Sequence, residues 1–208
     1  MRPTEEPTIR ERLGRHWPEY LMEAWGIATF MVVAGMLATL FEYPGSPVHR
    51  AIADPSVRRI LMGLAIGLTA MAIVYSPWGQ QSGAHLNPAV TLTFWRLGKV
   101  ARGDAIFYIL AQFVGSAVGV AIVAGVLRSA FTDAPVHYAV TMPGTAGPWV
   151  AFAAEFGISA ALMFVVLTIS NTSGLMRMTG VVAGGMVAAY IALEAPLSGM
   201  SMNPARSF

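Results

Sequence analysis

The 208-residue chain is 55% hydrophobic and only 12% charged, and its mean hydropathy is +0.59. Soluble domains are about a quarter charged, so this composition indicates that lipid surrounds most of the chain. The net charge of +2 comes without a basic cluster, which argues against nucleic acid as a partner. Because the sequence contains no cysteine, it excludes disulfide bridges, a thiolate nucleophile and cysteine-ligated metals.

Residues 1–18 are polar and mixed in charge, and they predict a cytoplasmic tail that is disordered or lies at the membrane interface. They lack the layout of a cleaved signal peptide. Five later stretches are apolar and long enough to cross a bilayer, which takes about 20 helical residues. These spans are predicted at 20–41, 58–75, 105–127, 150–169 and 178–193, with loops at 44–47 and 128–148.

The stretch 83–91 reads Gly-Ala-His-Leu-Asn-Pro-Ala-Val-Thr. Asn87 is a good helix N-cap, and Pro88 suits the first helical position because its missing N–H costs nothing there. The predicted helix continues from Ala89 to about Trp95, which is too short to cross a bilayer. A short helix therefore begins inside an otherwise apolar region.

The tripeptide Asn-Pro-Ala occurs a second time at Asn203-Pro204-Ala205, and Arg206 follows it directly. One such tripeptide is typical of an ordinary turn or helix start. Two copies, each following a Ser-Gly pair and an apolar segment, predict two half-helices that enter the membrane without crossing it.

An internal repeat supports this interpretation. Glu-Ala-Trp-Gly-Ile-Ala-Thr-Phe-Met-Val-Val begins at Glu23, and Glu-Phe-Gly-Ile-Ser-Ala-Ala-Leu-Met-Phe-Val-Val begins at Glu155. Because three spans separate the copies, the two halves are predicted to be oppositely oriented in the membrane. The first half is 19–128 and the second, which is incomplete, is 149–208. Together they form one domain, 19–208. An inverted repeat of this kind brings the two half-helix N-termini face to face near the bilayer midplane.

On these motifs the chain, from about Glu19 to Phe208, resembles the aquaporin (major intrinsic protein) family. The resemblance implies an all-α membrane fold with two re-entrant half-helices, forming a passive channel in a homotetramer without a cofactor. The run Pro196-Leu197-Ser198-Gly199 is similar to bacterial and plant nodulin-type members. The resemblance implies water as the substrate. Whether small neutral solutes such as glycerol also pass is left as an alternative.

The general account of aquaporin-type pores then applies to these residues. Two helix N-termini at the midplane repel hydronium and metal cations, and Asn87 and Asn203 offer amide donors to passing water. Irregular backbone before each half-helix is expected to line the pore, because such backbone is tolerated at membrane depth only where it faces water or protein. These loop residues are Gly83, Ala84, His85, Ser201 and Met202.

Arg206 is an intramembrane charge, which is costly and usually functional, although an arginine near a helix end can also snorkel to the interface. By resemblance it belongs to the outer constriction together with Met200, Ile191 and a second-span residue. Ile66 is the candidate there. Gly67 is the alternative, since the loop that follows is one residue longer than usual.

The residue types at these positions bear on the substrate. By resemblance, water-restricted members typically carry histidine where Ile191 stands, so the more apolar ring is closer to members that pass small uncharged solutes. Dedicated glycerol facilitators usually carry aspartate where Ser207 stands. The sequence leaves water alone and water plus small solutes as alternatives.

Glu23 and Glu155 are buried acids that, by resemblance, accept hydrogen bonds from the re-entrant loops and so have a structural role. An interfacial carboxylate is the alternative for Glu23. His85 is expected to line the inner vestibule, with a hydrogen-bonded core histidine as the alternative. Gln112 is predicted to join helices and not to line the pore.

The distribution of basic residues predicts a cell-membrane protein with a cytoplasmic N-terminus. In that orientation eight basic residues lie inside and four outside. Those inside are Arg2, Arg10, Arg12, Arg15, Arg96, Lys99, Arg102 and Arg177, and those outside are Arg50, Arg58, Arg59 and Arg128.

Two other functions compete with a channel. A secondary transporter would need a coupling-ion site, and a non-conducting fragment is the second alternative. An enzyme is not expected, because the sequence shows no nucleophile–base pair and no metal-ligand cluster. Since Phe208 lies four residues past Pro204, we expect a truncated second half-helix and a chain that folds mainly through its first half and conducts poorly alone.

Overall fold

The computed structural model describes residues 8–208, and every regular element within them is helical. In chain order the helices are α1 Ile9–Glu42, α2 Pro47–Ala51, α3 Pro55–Tyr75, α4 Pro77–Ser82, α5 Pro88–Arg96, α6 Arg102–Leu127, α7 Ser129–Thr132, α8 Pro148–Ser170, α9 Thr179–Leu193, α10 Ala195–Ser198 and α11 Pro204–Ser207. Short 3-10 turns lie at His137–Ala139 and Met176–Met178.

Five helices are long and apolar enough to cross a membrane: α1, α3, α6, α8, and α9 with the turn before it. Each predicted span falls within one of these helices, and the largest difference is at the start of α1, which begins 11 residues before its predicted span. The expected all-α membrane fold is therefore confirmed. Lipid is also the natural solvent for Phe152, Phe156 and Phe164, which are each about two-thirds exposed on α8.

The first helix begins at Ile9, so of the two alternatives for the tail the disordered one is wrong for residues 9–18. A position at the membrane interface stays a prediction. A capping box starts it, since the Thr8 hydroxyl accepts from the Glu11 amide at 3.3 Å and the Thr8 amide donates to the Glu11 carboxylate at 2.8 Å. At 34 residues α1 is about 51 Å long and exceeds the roughly 30 Å apolar layer. Residues 1–7 of the predicted tail lie outside the described part.

The two predicted loops also contain helical turns. Pro47 is not the end of a loop but the first residue of α2, capped by Ser46. The segment 128–148 includes α7 and the 3-10 turn. A helix N-cap followed by proline, as in Ser46-Pro47, favours a helix start and accounts for α2.

Two helix pairs form the body of the fold. α1 packs closely on α6, where a Cβ on Gly115 would come within 2.2 Å of the Ala24 carbonyl oxygen. α3 packs on α9 in the same way, since a Cβ on Gly67 would lie 2.5 Å from the Gly184 carbonyl oxygen. The α3–α9 pair joins the two halves of the chain, and small residues allow the close approach.

Candidate functional site

The loop between α4 and α5 is fastened to Glu23 on α1. The Glu23 carboxylate accepts from the Ser82 hydroxyl at 2.9 Å and from the amides of His85 at 2.9 Å and Leu86 at 2.6 Å. Gln112 on α6 donates a fourth hydrogen bond at 2.7 Å. Glu23 is fully buried, so the hydrogen bonds supply what water would otherwise provide.

The loop between α10 and α11 repeats this arrangement on Glu155 of α8. The carboxylate accepts from the Ser198 hydroxyl and from the amides of Ser201 and Met202, each at 2.7 Å. The same atoms of equivalent residues are used in both halves. The duplication predicted from sequence is therefore present in the hydrogen bonds as well.

The two loops share a strained backbone. Ala84 and Leu86 have φ of 45° and 52°, and Met200 and Met202 have φ of 48° and 56°. Residues with side chains seldom adopt such angles, and each case has an energetic cost. Hydrogen bonds to a carboxylate in each half hold the backbone in this form. Glu23 is fully buried as expected, whereas Glu155 is only half-buried.

Asn87 and Asn203 connect the two loops. Each is an N-cap, with Oδ1 accepting from the amide two residues later at 2.8 Å for Asn87 and 3.0 Å for Asn203. The Asn87 Nδ2 donates to the Met202 carbonyl, and the Asn203 Nδ2 donates to the Leu86 carbonyl, both at 2.8 Å. The half-helix N-termini therefore meet.

A cavity of about 740 Å³ runs past this meeting point. On α3 its wall residues recur once per turn from Arg59 to Val74, which covers about 22 Å of a bilayer core about 30 Å thick. On α9 they recur likewise from Thr179 to Ile191. We call its two ends the Arg206 end and the His85 end. Asn87, Ala89 and Asn203 line its middle, while Pro88 and Ala205 are buried and Pro204 is exposed.

Four of the five residues considered for the constriction line the cavity, namely Ile66, Ile191, Met200 and Arg206. Gly67 lies in the α3–α9 contact instead. The Arg206 Nη1 donates a hydrogen bond to the Thr141 hydroxyl in the segment before α8. Thr141 was not anticipated, since a contact across 65 residues leaves no local pattern.

The five predicted loop residues, Gly83, Ala84, His85, Ser201 and Met202, also line the cavity. His85 fits both alternatives considered for it. Its Nδ1 lies 3.1 Å from the Thr91 hydroxyl and its ring stacks on Phe94 at 4.9 Å, yet it remains part of the cavity wall. Arg59 is a further wall residue, which the sequence analysis counted only among the basic residues outside the membrane.

Comparison with known sequences gives consistent matches. The sequence model of the family described as "Major intrinsic protein" matches residues 15–208. Aquaporin NIP1-3 of Oryza sativa subsp. japonica is 41% identical over 68% of this chain and 48% of its own length. Aquaporin NIP1-4 of the same organism is 37% identical over 85% of this chain and 64% of its own. The chain thus spans about half to two-thirds of these relatives.

Among solved structures, the aquaglyceroporin from Plasmodium falciparum superposes with a TM-score of 0.73. The match covers 92% of this chain and 78% of that protein. At 21% sequence identity, the likeness supports the fold alone.

Proposed function

This chain belongs to the major intrinsic protein family, and we propose that it is a passive transmembrane channel for water and small uncharged solutes that excludes protons and ions. One observation carries the proposal. Asn87 and Asn203, each hydrogen-bonded to a carbonyl of the opposing loop, lie on the wall of one cavity. This cavity follows α3 and α9 along most of their length.

The asparagine geometry suits a water file that does not conduct protons. Each Nδ2 has two hydrogens, and one of them is used on the opposing carbonyl. The second is then available to a water at the middle of the cavity. Apolar wall residues such as Val187 and Met163 offer no competing partner there. A water that accepts from both asparagines turns its own hydrogens away from the centre, which interrupts proton transfer along the file.

Arg206 is the proposed barrier to cations. Its guanidinium lies at the cavity wall, and the contact with Thr141 holds it there. The positive charge opposes cations and its remaining donors suit oxygen-bearing neutral solutes. Ile66, Ile191 and Met200 complete an apolar ring, which favours the carbon atoms of a solute such as glycerol.

The acids support a channel over a coupled transporter. Glu23 and Glu155 are engaged by loop amides and hydroxyls, so neither is free to bind a coupling ion. Glu194, a further buried acid, lies after the end of α9 and is not part of the cavity wall.

We further propose a multi-pass cell-membrane protein with a cytoplasmic N-terminus, assembled as a homotetramer. The basic residues support the orientation. Because the chain has no cysteine, Ser173→Cys and Thr145→Cys, both exposed, would each carry a single thiol. A membrane-impermeant thiol reagent applied outside cells should label Thr145→Cys alone, and the reverse pattern would contradict the orientation.

Osmotic shrinkage of lipid vesicles tests the function. In sucrose, vesicles with the protein should shrink faster than protein-free vesicles. In glycerol they should shrink and then swell again, because glycerol follows the water. A shrinkage rate equal to that of protein-free vesicles would reject the channel.

A further inference from the structure

We propose that Arg59 is a second selectivity residue, placed at the Arg206 end of the cavity. It donates hydrogen bonds to a small hydroxylated solute as the solute enters, and it adds to the repulsion of cations before they reach Arg206. This inference rests on the proposed channel function and concerns the same cavity.

The position of Arg59 follows from the α3 register. Arg59, Met62 and Ile66 lie on one helix face and all line the cavity. Arg59 comes seven residues before Ile66, which places it about 10 Å further out along the helix axis. A solute moving towards the Ile66 level from this end passes Arg59 first.

The Arg59 side chain is held at the mouth from the opposite helix. Its Nε donates to the Ala192 carbonyl of α9 at 3.0 Å, next to Ile191. A cation at a helix C-terminus is favourable because the last carbonyls carry partial negative charge. Arg59 therefore bridges α3 and α9 at the cavity mouth, and it is only half-buried.

Part of the guanidinium is available to a solute. Nη2 lies 3.5 Å from the Ser56 hydroxyl, which is long for a hydrogen bond. Nη1 has no hydrogen-bond partner among the described residues. The cavity wall next to Arg59 is apolar and includes Met62 and Pro196. A donor beside an apolar surface suits a small polyol, whose oxygens accept from Arg59 while its carbons contact the wall.

The charge of Arg59 is not cancelled locally. Glu42 lines the same end, but its carboxylate lies 3.4 Å from the Arg58 guanidinium. Arg58 is buried and also donates to the Ile52 and Ala53 carbonyls, so this pair is fixed. Arg59 and Arg206 are left as two cations on the wall, both at this end, which makes the mouth positive.

The test measures water and glycerol flow separately in vesicles that carry the parent protein, Arg59→Met, Arg59→Lys or Arg50→Met. Arg50 is an exposed arginine on α2 that bonds the Pro44 carbonyl and is not on the cavity wall, so it is the matched control. Arg59→Met should raise the glycerol concentration for half-maximal flow about tenfold, the order expected for losing a hydrogen bond to a charged donor. In Arg59→Lys the glycerol concentration for half-maximal flow should be close to that of the parent protein. Water flow should be unchanged in both Arg59 variants.

Three outcomes would overturn the inference while leaving the channel in place. They are unchanged glycerol flow in Arg59→Met, an equal effect in Arg50→Met, or equal loss of both water and glycerol flow in Arg59→Met and Arg59→Lys. The last would mean that Arg59 only ties α3 to α9. Absence of water flow in the parent protein would instead reject the proposed channel itself, and this inference with it.

Discussion

Gln112 donates from Nε2 to the Glu23 carboxylate at 2.7 Å, deep between α6 and α1. Both residues are completely buried. The same Nε2 lies 3.0 Å from the Thr91 hydroxyl of α5. One amide therefore ties a spanning helix, the acid that holds the first loop, and the half-helix that follows this loop.

Replacing Glu23 with Gln should strongly destabilise the protein. The substitution puts an NH₂ donor where a carboxylate oxygen now accepts from other donors, so two buried donors lose their acceptor. At about 1–3 kcal/mol for each unsatisfied group, the loss is about 2–6 kcal/mol. Thermal unfolding in detergent measures it. Glu42→Gln, which alters a partly exposed ion pair, should cost about 1 kcal/mol or less. Equal losses in the two variants would contradict the role of Glu23.

Replacing Arg206 with Ala should admit cations while water flow stays close to that of the parent. We expect at least about a tenfold rise in cation flow, equal to removing about 1.4 kcal/mol of barrier. Thr141→Val, which removes the hydrogen-bond partner of Arg206, should change cation flow in the same direction by less. Arg177→Ala, at an exposed arginine outside the cavity wall, is the control. If Arg206→Ala behaves like this control, Arg206 is a snorkelling arginine.

Ile191 is expected to permit glycerol entry. Ile191→His should lower glycerol flow about tenfold through an added barrier of about 1.4 kcal/mol, with water flow retained. Ile191→Val, which keeps the wall apolar, should pass glycerol like the parent. Vesicle swelling in glycerol compares the three proteins. A parent protein that passes water and no glycerol would contradict the role assigned to Ile191.

Glu194 should make stability depend on pH. Burial raises the pKa of its carboxyl, the nearby Ser198 hydroxyl partly offsets this rise, and the charge of Glu155 adds to it. Neither carboxylate oxygen lies in good hydrogen-bond geometry with a group in the part of the chain that the structure describes. The free energy of unfolding therefore falls as pH rises from the carboxyl pKa of the unfolded chain to the higher pKa of the folded state. Above the folded-state pKa it stays at this lower level. Glu194→Gln should thus unfold at a higher temperature than the parent at pH 8, and the difference should shrink at pH 4. A difference independent of pH would reject this.

Much of the fold could be predicted because its signals are local. Apolar length gave the five spans, and the Asn-Pro pairs gave the start of both half-helices through capping. The family resemblance drawn from these pairs is confirmed by the match over residues 15–208. The start of α1 was also signalled, since Thr8-Ile9-Arg10-Glu11 is a capping-box sequence, but its polar composition favoured a tail.

Contacts between distant segments could not be predicted in this way. The Thr141–Arg206 hydrogen bond and the Arg59–Ala192 hydrogen bond join residues 65 and 133 positions apart. Neither partner has a sequence environment that marks it. Spacing alone also left Ile66 and Gly67 as alternatives. In the structure Gly67 lies against α9 while Ile66 lines the cavity, which favours Ile66 as the second-span residue.

Whether water moves through the cavity can be tested on one helix. Ala183 lines the cavity on α9, whereas Ala189 on the same helix is exposed and away from the wall. The cysteine-free chain allows Ala183→Cys and Ala189→Cys to be compared as single-thiol variants. We predict that a methanethiosulfonate reagent stops osmotic water flow through Ala183→Cys, reversibly with a reducing agent, and leaves Ala189→Cys unaffected. Water flow that persists in a fully labelled Ala183→Cys would contradict conduction through this cavity.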